Sequence, residues 1–195
     1  MSDQNPSPQG TVDLSSYRNP PDLDKGRGFL VRSIWFLFNA FVLINPANPS
    51  SGLKRAVLKM FGAKIGPGCL FKPGISVKSP WNLEMGANCW IGERSWIDSL
   101  APVKLGNNVC LSQEVYLCCG NHDWTDPAFG KTVKSIIIED GAWIASRATI
   151  LSGVTVATHS VIAAGTVVSQ NTNPYKIYAG NPAVEIKDRV VKPKA

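Results

Sequence analysis

Histidine is scarce in this chain, with only His122 and His159 among 195 residues. So few leave a single chain unable to supply three histidines to one zinc ion. The five cysteines, Cys69, Cys89, Cys110, Cys118 and Cys119, are odd in number and have no C-x-x-C spacing. Cys118 and Cys119 are adjacent and would pair only with strain. Reduced thiols in a cytoplasmic protein are the simplest reading. Long hydrophobic runs are missing too. The most apolar stretch, residues 29–44, has 13 apolar residues of 16 and is broken by Arg32, Ser33 and Asn39. A transmembrane helix usually takes about 20 apolar residues and avoids a central arginine. The expectation is a helix packed on the rest of the fold or at a subunit boundary, with peripheral membrane contact through residues 29–44 as the alternative. The start lacks the basic stretch and following apolar run of a secretory leader.

Charge is modest, a net +6 from 20 basic and 14 acidic residues. Much of the excess lies in the C-terminal run Lys187, Arg189, Lys192 and Lys194. There is no nucleic-acid motif and no basic stripe interleaved with aromatics, so a nucleic-acid partner is disfavoured. The run reads either as a solvated tail or as a contribution to binding phosphate.

What the chain does have is a six-residue repeat. From Ile138 an apolar residue recurs at Ile144, Ile150, Val156, Ile162 and Val168, and four residues after each of the six sits Ala142, Ala148, Val154, Ser160, Thr166 or Thr172. A helix repeats its apolar face every three or four residues and an ordinary strand every two. A period of six fits a short strand and a corner, stacked coil upon coil into a parallel β-helix. The phase continues upstream through Ile65, Phe71, Val77; Met85, Ile91, Ile97; and Leu105, Leu111, Leu117. Three hexapeptides make one triangular coil, and about five coils start near residues 65, 85, 105, 138 and 156.

Insertions at 78–84, 98–104 and 118–137 all fall at the same corner, so they line one edge of the prism. Coils spaced like paired strands, about 4.8 Å apart, put Asp98 one rung below the root of the longest insertion. Residues 1–25, rich in Pro, Ser, Asp and Asn, read as a disordered arm. Residues 26–62 form an N-terminal helical segment. Its second half has Ser50 and Ser51 as N-cap candidates, a face of Leu53, Val57, Met60 and Phe61, and Gly62 as its stop. Residues 63–173 form the β-helix, and 174–195 a C-terminal cap and basic tail. The class is all-β, and a homotrimer suits a three-sided prism whose faces need cover.

The hexapeptides, the loop Gly120-Asn121-His122-Asp123-Trp124-Thr125-Asp126-Pro127 and the closing Ala179-Gly180-Asn181-Pro182-Ala183 resemble the hexapeptide-repeat acyltransferases. The His-Asp-x-x-Asp-Pro-x-Phe run at His122–Phe129 and the segment Phe61-Gly62-Ala63-Lys64-Ile65-Gly66 are similar to the colanic acid biosynthesis acetyltransferase type, a relative of the galactoside and maltose O-acetyltransferases. The resemblance implies a left-handed parallel β-helix, a trimer with active sites between subunits, and acetyl-CoA as cosubstrate with no metal. It also implies a saccharide acceptor and a setting in exopolysaccharide or glycan assembly. An acceptor linked to lipid, at the inner membrane face, would suit the apolar N-terminal helix.

A sugar hydroxyl is a poor nucleophile, so it needs a base. A neutral imidazole, with an ordinary pKa of about 6.5, can take the hydroxyl proton and pass it to the departing thiolate, worth about 10²–10⁴-fold. His122, on the long insertion, is expected to be that base, and His159, at a regular corner, is expected to be structural. By resemblance the Ser146 amide meets the oxyanion. Asp98 falls where galactoside acetyltransferases carry an acceptor-contacting asparagine, and either orients a sugar hydroxyl or supports protonated His122. Asp123 is expected to contact His122 or the sugar, and Trp124 to stack on a ligand ring. For CoA the resemblance points to Trp143, Ser146 and Ala164 along the pantetheine arm, and to Ser169 and Gln170 near its far end. Gln170 lacks the charge common there, which shifts phosphate binding to Lys187. The competing readings are an N-acetyltransferase acting on an amino-sugar nucleotide, a γ-class carbonic anhydrase, and a non-catalytic β-helix scaffold. The anhydrase needs three histidines per zinc, which a trimer with one such histidine per chain could supply only if the loops met at its axis, whereas insertion-corner loops should lie at separate subunit boundaries. A scaffold would be expected to have lost the loop histidine.

Overall fold

A computed structural model describes residues 10–19 and 26–193. Three parallel sheets form the sides of a left-handed prism. The first face stacks Lys64–Ile65, Leu83–Met85, Val103–Leu105, Ile136–Ile138 and Thr155–Val156. The second stacks Leu70–Phe71, Trp90–Ile91, Cys110–Leu111, Trp143–Ile144 and Val161–Ile162, and the third Ser76–Val77, Trp96–Asp98, Tyr116–Cys118, Thr149–Ile150 and Val167–Val168. Five complete coils result, and a sixth rung exists on the second face alone. There Lys176–Ala179 adds in parallel and Val184–Asp188 folds back antiparallel on it as the cap.

The fifteen apolar residues of the six-residue phase are all buried, and so are the six small residues that follow the upper ones. Strands of two or three residues are far too short to be stable alone. They hold because each adds about 1.5–3 kcal/mol of side-chain burial to a continuous core and bonds to the coil above and below. Gly66 shows how tightly the corners stack. Its N–H donates to Met85 O at 2.9 Å, and a Cβ on it would lie 2.6 Å from Gly86 O.

Helices close the lower end. Helix α1 (Phe29–Phe38) runs on into a π-turn at Asn39–Leu43, and α2 spans Ser51–Met60. Trp35 Nε1 donates to Val77 O at 3.0 Å, and Asn39 Oδ1 accepts from Val77 N at 3.2 Å, which occupies the open edge of the lowest third-face strand. Ser50 is the cap of α2, accepting from Leu53 N at 3.1 Å, while Ser51 Oγ accepts from Phe71 N on the second face. The face expected for α2 is rotated. Val57 and Leu58 are buried with Lys54, whereas Leu53 and Met60 are exposed. Lys54 stays inside because its Nζ donates to Asn48 O, although burial lowers its pKa.

No helix among the described residues is long and apolar enough to cross a membrane. Of the expected N-terminal arm, residues 1–9 and 20–25 lie outside the described residues, as does Lys194 of the basic run. Residues 10–19 do not stand apart as an arm. Asp13 caps a short turn at Leu14–Ser16, and its own N–H donates to Pro127 O in the long insertion at 2.8 Å.

Candidate active site

The insertion at 118–137 is a β-hairpin. Gly120–His122 pairs antiparallel with Lys131–Val133, with His122 opposite Lys131. Its tip is tied by acids that accept from their own backbone. Asp123 Oδ1 accepts from Thr125 N at 2.9 Å and Thr125 Oγ1 at 2.6 Å, which holds its carboxyl below the usual range, and Asp126 Oδ1 accepts from Ala128 N at 3.0 Å. These bonds bring Phe129 back beside His122 in a left-handed conformation, φ 51°. Its ring stacks on the imidazole, centroids 4.4 Å apart and 8° from parallel, and its carbonyl lies 2.9 Å from Nδ1. A carbonyl can only accept, so Nδ1 carries the proton and a neutral ring keeps its lone pair on Nε2. Nε2 has no hydrogen-bond partner among the described residues. Tyr17 covers one side of the ring at 6.0 Å.

Asp98 pairs in register with Cys118, one rung below the hairpin root, and is buried. Burial raises its pKa, opposed by the charges of Lys78 and Lys131 and by a hydrogen bond from Gly120. No hydrogen bond joins Asp98 to His122, and Asp123 turns to Thr125 rather than to the imidazole. Trp124, 72% exposed, is free to meet a ligand ring. A cavity of about 840 Å³ opens alongside, between α1 and the third face, with Lys131 of the hairpin in its lining.

The residues expected to hold CoA fall in separate places. Trp143 is an exposed residue of the second face, its Nε1 donating to Ser112 Oγ at 2.9 Å. Ser146 and Ala164 follow at the corner between second and third faces, where Gly165 N donates to Ser146 O at 2.9 Å. The Ser146 N–H has no protein acceptor among the described residues. Ser169 and Gln170 are exposed at the corner between third and first faces, which is the corner that carries the hairpin, and Lys187 is exposed on the last cap strand. Within one chain, therefore, His122 and Ser146 project from different corners.

His159 occupies a turn between the first and second faces at φ 55°, stacked on Tyr175 at 4.8 Å with Nδ1 2.7 Å from Thr158 Oγ1. All five cysteines are free, and burial pushes Cys89 up to about 11 and Cys119 to about 12, so neither offers a thiolate near neutral pH. Among the described residues no group of three or more His, Cys, Asp or Glu is placed to hold a metal ion.

Three residues around the site, Tyr17, Lys78 and Lys131, have no place in the sequence reading, and a fourth, Phe129, closes the histidine motif there without a role. Tyr17 lay in a segment read as disordered, and the part played by Phe129 depends on its carbonyl, which no side-chain pattern reveals. Lys131 was accessible from the pairing of two short strands across the loop. Lys78 follows an in-phase valine, so its place beside Asp98 could be read from the register.

Comparison with known proteins bears on the same segments. The family described as bacterial transferase hexapeptide (six repeats) matches residues 135–170, and the hexapeptide repeat of succinyl-transferase matches 84–118. The chain is 29% identical to the putative colanic acid biosynthesis acetyltransferase of Escherichia coli (strain K12), over 91% of this chain and 97% of that one. It is 30% identical to a putative acetyltransferase of Dictyostelium discoideum, over 71% of this chain and 75% of that one. Among solved structures, the fold resembles a hexapeptide-repeat acetyltransferase from Vibrio cholerae O1 biovar eltor complexed with acetyl-coenzyme A. The TM-score is 0.75 at 21% identity, covering 83% of this chain and 88% of that one.

Proposed function

The chain belongs to the hexapeptide-repeat transferase family, and from that premise we propose that it is a cytoplasmic acetyl-CoA-dependent O-acetyltransferase, acting on a saccharide hydroxyl with His122 as general base. The observation that carries the proposal is the bond between His122 Nδ1 and Phe129 O. It fixes the tautomer and leaves Nε2 to take the hydroxyl proton as attack proceeds. After transfer the ring returns that proton to the departing sulfur, so one histidine suffices and no acyl-enzyme is required.

The donor side fits acetyl-CoA. Exposed Trp143 offers a flat apolar surface to the pantetheine arm, and the unpaired Ser146 N–H is a donor for the thioester oxygen as negative charge develops there. Bound acetyl-CoA supplies an activated acetyl group, and Lys187 supplies a cation for its phosphates. Relatives support the class: one is the putative colanic acid biosynthesis acetyltransferase and another, 28% identical over 74% of this chain, a galactoside O-acetyltransferase of Escherichia coli (strain K12).

Because His122 and Ser146 lie at different corners, the site needs a second copy of the chain, and a trimer places one site at each of three boundaries. Exposed Leu70, Trp90 and Trp143 form an apolar column on the second face that such an interface would cover.

The test is free-thiol release from acetyl-CoA against a panel of sugars, glycan intermediates and amino-sugar nucleotides, with His122→Ala in parallel. Turnover on a hydroxyl acceptor and a loss of about 10²–10⁴-fold in the variant are expected. Equal rates would remove His122 from the mechanism, and turnover confined to amino sugars would replace O-transfer by N-transfer.

A further inference from the structure

The segment at residues 10–19 lies on the hairpin, and proton transfer as derived above gives it no task. Asp13 N–H donates to Pro127 O at 2.8 Å, the one hydrogen bond among the described residues that crosses from segment to hairpin. Asp13 also folds the segment on itself. Its Oδ1 accepts from Ser15 N at 3.0 Å and Ser15 Oγ at 2.6 Å, and its carbonyl accepts from Ser16 N at 3.1 Å and Ser16 Oγ at 2.7 Å. That turn sets Tyr17 beside the base, its ring centroid 6.0 Å from the imidazole and tilted by 52°. Tyr17 Oη is spent away from the histidine, donating to Asn19 Oδ1 at 3.0 Å, so the ring rather than the hydroxyl meets the base. Every residue of the segment is exposed, Val12 and Leu14 included. A segment that buries no side chain adds little to the core, so packing does not explain its place.

The chemistry supplies a reason. His122 Nε2 has no hydrogen-bond partner among the described residues, and its lone pair serves any O–H that reaches it. When a sugar hydroxyl attacks, its oxygen bonds to the acetyl carbon, the C–S bond breaks, and its proton passes through Nε2 to sulfur. Water can follow the same path, its oxygen bonding to the acetyl carbon as the C–S bond breaks, to give acetic acid and free CoA. The base does not distinguish the two, so access must. A hairpin outside the coil stack has no neighbouring coil to enclose its histidine. Phe129 covers the imidazole with one ring at 4.4 Å, and Tyr17 brings a second from a distant part of the chain.

Resting on the acetyl-transfer reading above, we propose that Tyr17 is a positioning residue that reserves His122 for the acceptor. The strap at residues 10–19 closes on the hairpin, and its tyrosine ring shuts water off from the imidazole. One backbone bond and one ring contact make a closure that lifts to admit the acceptor and reseats over it.

The experiment measures acetyl-CoA consumption by the full chain, without acceptor and with the best acceptor of the sugar panel. In parallel, the rate at which diethyl pyrocarbonate acylates each histidine is read by peptide mass spectrometry. Tyr17→Ala should raise hydrolysis relative to transfer by about tenfold or more, and should speed acylation of His122 while leaving His159 unchanged. Asp13→Ala removes the carboxyl that folds the strap and should move both readings the same way by less. Tyr17→Phe keeps the ring and should restore both. In Tyr17→Ala/His122→Ala the extra hydrolysis should disappear, because water uses the same base. Extra hydrolysis that survives loss of His122 overturns the proposal. So does a fall in transfer with neither hydrolysis nor His122 acylation raised, since Tyr17 then only ties down the hairpin. Sugar transfer with both readings unmoved in Tyr17→Ala sinks this inference alone, whereas faster His122 acylation with no acetyl-CoA consumed by any variant removes the reading beneath it.

Discussion

In the hairpin at residues 120–133 and at the corner at 157–160, a histidine ring lies flat on an aromatic ring, His122 on Phe129 and His159 on Tyr175. Each ring has Nδ1 within hydrogen-bond reach of oxygen, the Phe129 carbonyl in one case and the Thr158 hydroxyl in the other. The Thr158 hydroxyl donates to Asp140 O, so it too accepts from the ring. What differs is the far edge. His159 lies under Gly141, where a Cβ would come within 2.7 Å of Nε2, and Arg189 closes the corner by donating to Gly141 O and His159 O. His122 is on an insertion outside the coil stack, so one backbone carbonyl orients the ring, and Nε2 has no hydrogen-bond partner among the described residues. The same local chemistry fills a corner in one place and presents a base in the other.

That contrast is broken most severely by deleting each ring. His122→Ala should lower acetyl transfer by about 10²–10⁴-fold, while His159→Ala should turn over at close to the wild-type rate once folded. A comparable loss in both would mean the far edge of the ring is not what separates them. The next largest effect is on stability. Leu117 is fully buried at the hairpin root, and Leu117→Ala should cost about 2–5 kcal/mol by transfer and cavity terms together. Exposed Trp124 at the tip should cost within about 0.5 kcal/mol on replacement by alanine. Urea titrations of the two variants compare coil and hairpin directly, and equal losses would show that the tip is packed as the core is.

The coils were legible because their stability has a period. Every in-phase residue from Ile65 to Val168 is buried, and the same register placed Asp98 beside the hairpin root. Helix α2 was legible in extent and misread in face. Lys54 counts as polar in any pattern, yet its stem packs inward and Nζ finds a carbonyl at Asn48. The hairpin was legible as an insertion with a histidine, but the state of that histidine depends on a positive φ at Phe129, where phenylalanine gives no warning. The cavity was not legible. Arg32, Lys78 and Lys131 are far apart in the chain, and they converge only because Trp35 docks α1 on Val77, a contact with no period.

A smaller effect separates the two histidines from the side of folding. His159→Ala loses the stack on Tyr175 and leaves Thr158 without its donor, a change of about 1–2 kcal/mol. His122→Ala loses a stack of similar geometry on a half-exposed hairpin, away from the coil core, and should lower the melting temperature less. Thermal unfolding of the two variants therefore runs opposite to their activities. A larger shift for His122→Ala would make the hairpin part of the cooperative core.

The smallest expected effect concerns Asp98, and its sign is informative. Burial raises the folded pKa above the ordinary 3.8, with Lys78, Lys131 and Gly120 opposing only in part. A raised carboxyl pKa means the contribution of Asp98 to stability is fully present below the unfolded value and is lost as pH rises through the folded value. Above the ordinary value of 3.8, burying the charge on this side chain thus weighs against the fold. Asp98→Asn keeps an acceptor for the Gly120 N–H and removes the charge, so it should unfold at a higher temperature than wild type at pH 7. The difference should shrink as pH falls toward 3.8. A variant less stable at neutral pH would show instead that attraction to Lys78 and Lys131 outweighs desolvation. Kinetics on the same variant carry the comparison into the site. Since no hydrogen bond links Asp98 to His122, the acceptor KM should rise more than kcat falls. A fall in kcat alone would tie Asp98 to the imidazolium and make the hairpin base, unlike His159, dependent on a buried charge.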